Sequence, residues 1–192
     1  MNKVALELLS EERFWQIIER SLDGTGSVGL TMKRQTKLLE RELQDLSHDE
    51  FVGFAAHIHR LFGDACREDL WVVANVVMGG CSNGCFMDFR TWLITRGKSV
   101  YAAAMHSPDS LCGEFDKIPK GEIPLWEYYF GTQFNARFGA EAHSEIYERY
   151  HFADFEPHRI RDPENHWTHD DEASMRRLCP NVFEVYWGNL RF

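Results

Sequence analysis

The sequence predicts an all-α or mainly α fold, a single globular helical domain with an irregular, acidic C-terminal part. Proline is absent before Pro108, and all six prolines lie in the remainder of the chain. Helix-capping residues repeatedly precede apolar side chains spaced three and four residues apart, while nothing indicates an extended sheet. We expect residues 1–150 to form a helical domain and residues 151–192 to form a C-terminal segment packed on it.

Caps and breakers define three helices in the first third of the chain. Ser10, followed by two glutamates, suits a helix N-terminus. The glycine-rich stretch 23–29 ends this helix, and a second is expected over residues 30–46. Ser47 and Glu50 form a capping box ahead of a third helix. The three apolar stripes are Phe14, Ile17 and Ile18; Leu38, Leu39, Leu43 and Leu46; and Phe51, Phe54, Ala55, Ile58 and Leu61.

The centre of the chain predicts a buried helix and its partner. Residues 64–78 are apolar on nearly every side after Asp69, which is typical of a central helix. Gly79 and Gly80 end it, and a fifth helix is expected from Asn83 to Arg96, stopped by Gly97.

The remaining elements are less regular. A short helix should cover residues 98–106, and Pro124 suits the first position of a helix that continues to Phe138. Residues 168–171 resemble a helix start. Residues 182–187 fit either a strand or a docked terminal segment.

Composition and charge exclude several classes of protein. Hydrophobic residues make up 44% of the chain, which is enough for a sizeable core and excludes disorder. The net charge of −9 argues against nucleic acid and against an anionic membrane surface as partners. The charge is uneven, with −2 on residues 1–106 and −7 on residues 107–192.

Cysteine usage and hydropathy indicate a compartment. The five cysteines are odd in number and no signal peptide precedes them, so free thiols in a reducing cytosol are expected. The longest uncharged apolar run, residues 70–78, is nine residues long. A membrane-spanning helix needs about 20, so we expect a cytoplasmic protein.

The most distinctive stretch lies between residues 69 and 111. It resembles the bacterial domain-of-unknown-function family 4240, whose pattern reads D-L-W, G-G-C-S, F-x-x-F-R-x-W-L-I, G and P-D-S-L in this order. The resemblance implies a mainly helical cytosolic bacterial protein and brings no established activity, ligand or catalytic residue. The matching residues are Asp69-Leu-Trp-Val-Val-Ala74, Gly79-Gly-Cys-Ser82, Phe86, Phe89-Arg-Thr-Trp-Leu-Ile94, Gly97 and Pro108-Asp-Ser-Leu111, with Phe14-Trp15 before them and Trp167, Asp170 and Asp171 after them.

One departure from the family pattern bears on chemistry. The family usually carries acidic residues directly after G-G-C-S, where this chain has Asn83 and Gly84. An acid at that position therefore cannot do chemistry in this protein.

The turn from Gly79 to Ser82 has two interpretations. In the structural one, glycine supplies positive φ, Ser82 caps the next helix, and Cys81 is a small buried apolar residue. In the functional one, Cys81 is a nucleophile activated at a helix N-terminus. It would then need a base, which only folding could bring close: His57, His59 or His106.

Arg90 lies among the aromatic side chains of the fifth helix. A buried guanidinium needs a partner, and Asp69 on the preceding helix is the candidate, which predicts an ion pair between these helices. The alternative is an anion or carboxylate site with Arg90 as donor, walled by Trp71 and Trp92. The ligand-binding candidates are thus Asp69, Trp71, Cys81, Ser82, Arg90 and Trp92.

The sequence predicts no metal site, no cofactor and no assigned catalytic residue. Cys81 and Cys85 are four residues apart, which is not a recognised zinc spacing, and no C-x-x-C pair exists. His166 and His169 stand beside two aspartates, but helix capping explains that cluster equally well. The phosphate-loop, dinucleotide-binding and nucleophile-elbow patterns are also absent.

Two functions from different classes remain open. The first is a non-catalytic protein-interaction module, regulatory or immunity-like, that binds a basic protein through its acidic C-terminal half. The aromatic residues at 126 and 128–130 exceed one helical stripe and suit such a partner, unless the tail simply covers them. The second is an enzyme or small-ligand-binding protein with a pocket near the Gly79–Ser82 turn and Arg90.

Overall fold

The described part of the chain is built mainly from helices, and those between residues 32 and 106 are joined by short turns. A computed structural model describes residues 3–24, 28–119, 121–124, 130–139, 141–142, 144, 148 and 167–189, and these contain no strand. The α-helices are α1 (Lys3–Glu7), α2 (Glu11–Arg20), α3 (Met32–Gln44), α4 (His48–Asp64), α5 (Glu68–Met78), α6 (Asn83–Ile94), α7 (Lys98–His106), α8 (Phe130–Phe138), α9 (Glu172–Leu178) and α10 (Pro180–Tyr186). Two 3₁₀ turns cover Pro108–Leu111 and Phe115–Lys117. The predicted mainly α fold is confirmed.

Local signals place most helix ends. Ser10, Ser47 and Ser82 each accept a backbone N–H from three residues ahead, and Ser47 completes its capping box with Glu50. Gly79 ends α5 in the left-handed conformation, with φ of 66°. These caps lie where the sequence predicts them because each needs only residues within one helical turn.

Two predicted boundaries differ from the structure. The buried helix begins at Glu68 rather than near residue 64, because α4 continues to Asp64 and a short turn separates the two. Residues 180–186 form a helix, so the strand alternative for 182–187 is wrong and the docked segment is what the structure has. The predicted boundary between residues 150 and 151 and the helix start after Pro124 lie outside the described residues.

Two helices organise the core. α4 packs against α1, α2, α6 and α8, while α5 packs against α6, α9, α10 and the first 3₁₀ turn. Residues 70 and 72–77 of α5 are all buried, as expected for a central helix. Since α6 contacts both α4 and α5, it joins the two groups of helices.

The C-terminal helices are attached to the body by specific polar contacts. Asp109 accepts the backbone N–H groups of Asn181, at 3.2 Å, and Val182, at 2.9 Å, at the start of α10. The buried Asn75 of α5 contacts His169, with 2.7 Å between the Asn75 Oδ1 and the Nδ1 of the histidine ring. A carboxylate at a helix N-terminus is favourable, so the Pro108–Leu111 motif serves to hold α10 in place.

Candidate functional site

The candidate residues gather where α5 turns into α6. The turn itself lies at the surface, with Gly79, Gly80 and Ser82 exposed, whereas Cys81 is only 3% exposed. Trp71 fixes the turn because its indole Nε1–H donates to the Cys81 carbonyl at 2.8 Å. Its ring also stacks on Phe86, with centroids 5.1 Å apart and planes 3° apart.

Arg90 is completely buried between two aromatic rings. Its guanidinium carbon lies 3.7 Å from the ring centre of Phe62 and 5.0 Å from that of Phe86. Its Nη1 donates to the Phe62 carbonyl at 3.0 Å. Burial lowers the pKa of Arg90 to about 10.

The predicted ion pair between Asp69 and Arg90 is wrong. Asp69 accepts from the Nε of Arg67 at 3.0 Å, is ion-paired with the same guanidinium, and also accepts the backbone N–H of Leu70 at 2.9 Å. Arg90 instead meets the last turn of α4, whose carbonyls lack partners within the helix. A positive charge is favourable there because the carbonyl end of a helix is negative.

Arg90 shares this role with two other arginines. Arg67 donates through Nη1 to the Met105 carbonyl at 2.5 Å, in the last turn of α7. Arg137 donates to the Leu43 carbonyl at 2.6 Å and to that of Leu46, at the end of α3. Each guanidinium therefore ties one helix C-terminus to another part of the chain.

Trp92, the other predicted wall of an anion site, belongs to the core. It is fully buried, with its ring 5.5 Å from the centres of both Phe89 and Phe115. Its indole Nε1 has no hydrogen-bond partner within the described part of the chain. The structure thus separates Trp92 from the exposed turn, and ligand binding by the six candidate residues stays a prediction.

The turn carries a sulfur cluster of Met78, Cys81 and Cys85. The Cys85 thiol lies 3.6 Å from the Met78 thioether sulfur, and Cys81 lies beside the carbonyl of Ser82, with 3.7 Å between its sulfur and that oxygen. A hydrogen bond between the two thiols raises the pKa of Cys81, which burial raises further. The same bond lowers the pKa of Cys85. Sequence spacing drew attention to the cysteines but not to Met78.

None of the contacts of Cys81 within the described residues supplies the histidine base that a nucleophile would need. His57 is 3% exposed, and its Nε2 lies 2.7 Å from the Leu9 carbonyl, so it joins α4 to the segment after α1. The described residues contain no group of three His, Cys, Asp or Glu side chains placed to hold a metal ion. His166 lies outside them.

We expect His57 to make stability fall in mild acid. Burial lowers the pKa of His57 in the folded protein, and the Leu9 hydrogen bond only partly opposes this. Below the ordinary histidine value of about 6.5, the unfolded chain therefore binds a proton that the folded protein does not, which favours unfolding by up to about 1.4 kcal/mol per pH unit. Denaturant unfolding between pH 7.5 and 5 measures this slope.

His57→Gln should flatten that slope, because glutamine can still donate to the Leu9 carbonyl but does not titrate in this range. His106→Gln, at an exposed position on α7, is the matched control and should keep the wild-type slope. Equal slopes for the wild type and His57→Gln would contradict the assignment.

No single helix in the described part of the chain is long and apolar enough to cross a membrane; α5 and α6 reach that length only as a pair bent by 100°. No curated protein and no solved structure matches the chain. One family model, described as protein of unknown function (DUF4240), matches residues 9–136, which include every candidate residue of the α5–α6 turn. The chain belongs to this family.

Proposed function

We propose that the protein is a non-catalytic interaction module that binds a basic protein through its acidic C-terminal face, defined here as Trp167, Asp170, Asp171, Glu172 and Trp187. The observation that supports this is the composition of the face: three consecutive exposed acids lie between two tryptophans that are each half-buried. Aromatic anchors within a charged rim are the usual makeup of a protein interface.

The contacts within the face keep its charges in place. Glu172 accepts from the Trp187 indole Nε1 at 3.1 Å, which links the start of α9 to the end of α10. Asp171 caps α9 by accepting the backbone N–H of Ser174 at 3.1 Å, and this bond lowers the pKa of Asp171. The negative charge of the face steers a basic partner by long-range attraction.

Burial argues against the enzyme or small-ligand alternative. A substrate or an organic ligand at the α5–α6 turn needs surface access to Cys81 or Arg90, and these residues are 3% and 0% exposed. Binding a protein partner needs only exposed groups, which the C-terminal face supplies.

The test measures association kinetics against salt. The tagged 192-residue chain is used to isolate partners at low salt, and the association rate of each is then measured over a salt series. We expect the rate to fall past physiological ionic strength, where the Debye length is about 8 Å. A rate that ignores salt would contradict the proposal.

A pair of double variants localises the effect. Asp170→Asn with Glu172→Gln removes two charges from the face while glutamine retains an acceptor for Trp187. Glu7→Gln with Glu19→Gln removes two exposed acids from α1 and α2 and is the matched control. The first should slow association several-fold at low salt and the second should not; equal effects would show that only net charge matters.

A further inference from the structure

The sulfur cluster of Met78, Cys81 and Cys85 brings three soft donor atoms together at one turn. Met78 is the last residue of α5, Cys81 lies in the turn, and Cys85 lies in the first turn of α6. Cys81 is buried, Met78 and Cys85 are half-buried, and the glycines of the turn are exposed. The cluster is therefore sheltered from bulk water but close to the surface.

The spacing of these sulfur atoms suits a three-coordinate metal. Three sulfur ligands about 2.3 Å from a metal, arranged in a plane, lie about 4 Å from one another. The Met78 and Cys85 sulfurs are 3.6 Å apart. Cys81 lies between them in the chain, at the same turn, and its thiol would have to turn away from the Ser82 carbonyl to close the set around an ion.

The donor chemistry selects the ion. Thiolate and thioether sulfurs favour Cu(I), whereas structural zinc takes four ligands drawn from cysteine, histidine and carboxylates. The described residues offer no such set, since no three His, Cys, Asp or Glu side chains come together there. A methionine with two cysteines is instead an all-sulfur, three-coordinate set.

The start of α6 favours the charge that binding would create. Two thiolates and one Cu(I) carry one net negative charge, which is stabilised at the positive end of a helix. A thiol that carries a proton would release it on binding the ion.

We propose that Met78, Cys81 and Cys85 form a binding site for Cu(I). The hydrogen bond from Trp71 to the Cys81 carbonyl holds the turn in place before the ion arrives, which reduces the ordering that binding requires. The site is independent of the acidic C-terminal face, so either proposal can fail without the other.

The experiment is an anaerobic competition with the reduced 192-residue chain. Cu(I) is supplied as its coloured bathocuproine disulfonate complex, and the fall in absorbance reports transfer to the protein. We expect one equivalent to transfer. A wild-type protein that leaves the absorbance unchanged overturns the proposal.

Three variants assign the ligands. Met78→Leu keeps the volume of the side chain and removes the thioether, and Cys85→Ser removes a half-buried thiol; each should weaken Cu(I) binding on the order of tenfold or more. Cys112→Ser removes a half-buried thiol elsewhere and is the control, expected to bind as the wild type does. Equal losses in Cys85→Ser and Cys112→Ser would overturn the assignment. Circular dichroism confirms that each variant is folded.

Discussion

Replacing Arg90 with alanine should lower the free energy of unfolding by about 3 kcal/mol, within the range for truncating large buried side chains. The change removes a completely buried side chain that contacts the rings of Phe62 and Phe86, and it leaves a cavity between them. It also leaves the Phe62 carbonyl without its donor at the end of α4. Denaturant unfolding at pH 7 measures the loss.

The buried charge of Arg90 lowers the stability that the packing of its side chain provides. No carboxylate contacts the guanidinium among the described residues, and its Nε and Nη2 lack hydrogen-bond partners there. Burying such a charge is unfavourable, which is why the pKa of Arg90 falls. Arg90→Met, which keeps most of the volume without the charge, should therefore destabilise less than Arg90→Ala.

An exposed arginine supplies the control for this series. Arg34 is ion-paired with Asp23, and its side chain is 65% exposed, so Arg34→Ala should change stability by no more than about 0.5 kcal/mol. If the denaturation midpoint of Arg90→Ala differs from that of the wild type no more than the midpoint of Arg34→Ala does, the buried contacts of Arg90 do not stabilise the fold.

What the sequence predicts well is local. The Ser47–Glu50 capping box, the left-handed Gly79 and the Ser82 cap are all confirmed, and each depends on residues a few positions apart. The family was also recognisable from its motifs, and the match to residues 9–136 confirms it. Such signals specify the helices but not which helix end meets which side chain.

The partner of Arg90 shows why the site was harder to predict. A buried cation predicts a carboxylate partner, and the preceding helix offers Asp69. Every residue also carries a backbone carbonyl that can accept a hydrogen bond, and the sequence does not show which carbonyls are available. The acceptor is the carbonyl of Phe62, which becomes available only because α4 ends nearby.

The sequence at α10 carries two conflicting signals. Residues 182–187 are rich in strand-forming side chains, which suggested a strand. Pro180 stands at the first helical position, where its fixed φ and missing N–H suit a helix start. The acid that caps this helix, Asp109, lies 72 residues earlier than Asn181 and could not be assigned to it from the sequence.

Gly53→Ala should be strongly destabilising, although alanine is the better helix former. In a helix interior the exchange favours alanine by about 1 kcal/mol. At Gly53, however, an added Cβ would lie 2.6 Å from both the backbone N and the Cβ of Leu9, and 2.9 Å from the carbonyl carbon of Leu8. Overlap with backbone cannot be relieved by a rotamer change, so we expect a net loss of about 2–3 kcal/mol.

The matched control is Gly84→Ala, because Gly84 also lies in a helix but faces open space. Its nearest neighbour to an added Cβ is the Ser82 Oγ at 4.0 Å. This variant should be neutral or slightly more stable than the wild type. A gain in stability in both variants would mean that the segment after α1 does not closely contact α4.

Hydrogen exchange can identify the cause of the loss of stability in Gly53→Ala. To relieve the overlap, Leu8 and Leu9 must move away from α4, which also breaks the hydrogen bond between Leu9 and His57. Protection should therefore fall first in residues 3–9, while the buried amides of α5 keep theirs. An equal loss of protection in both regions would contradict a local steric cause, because it would mean that the substitution weakens the whole core rather than this one contact.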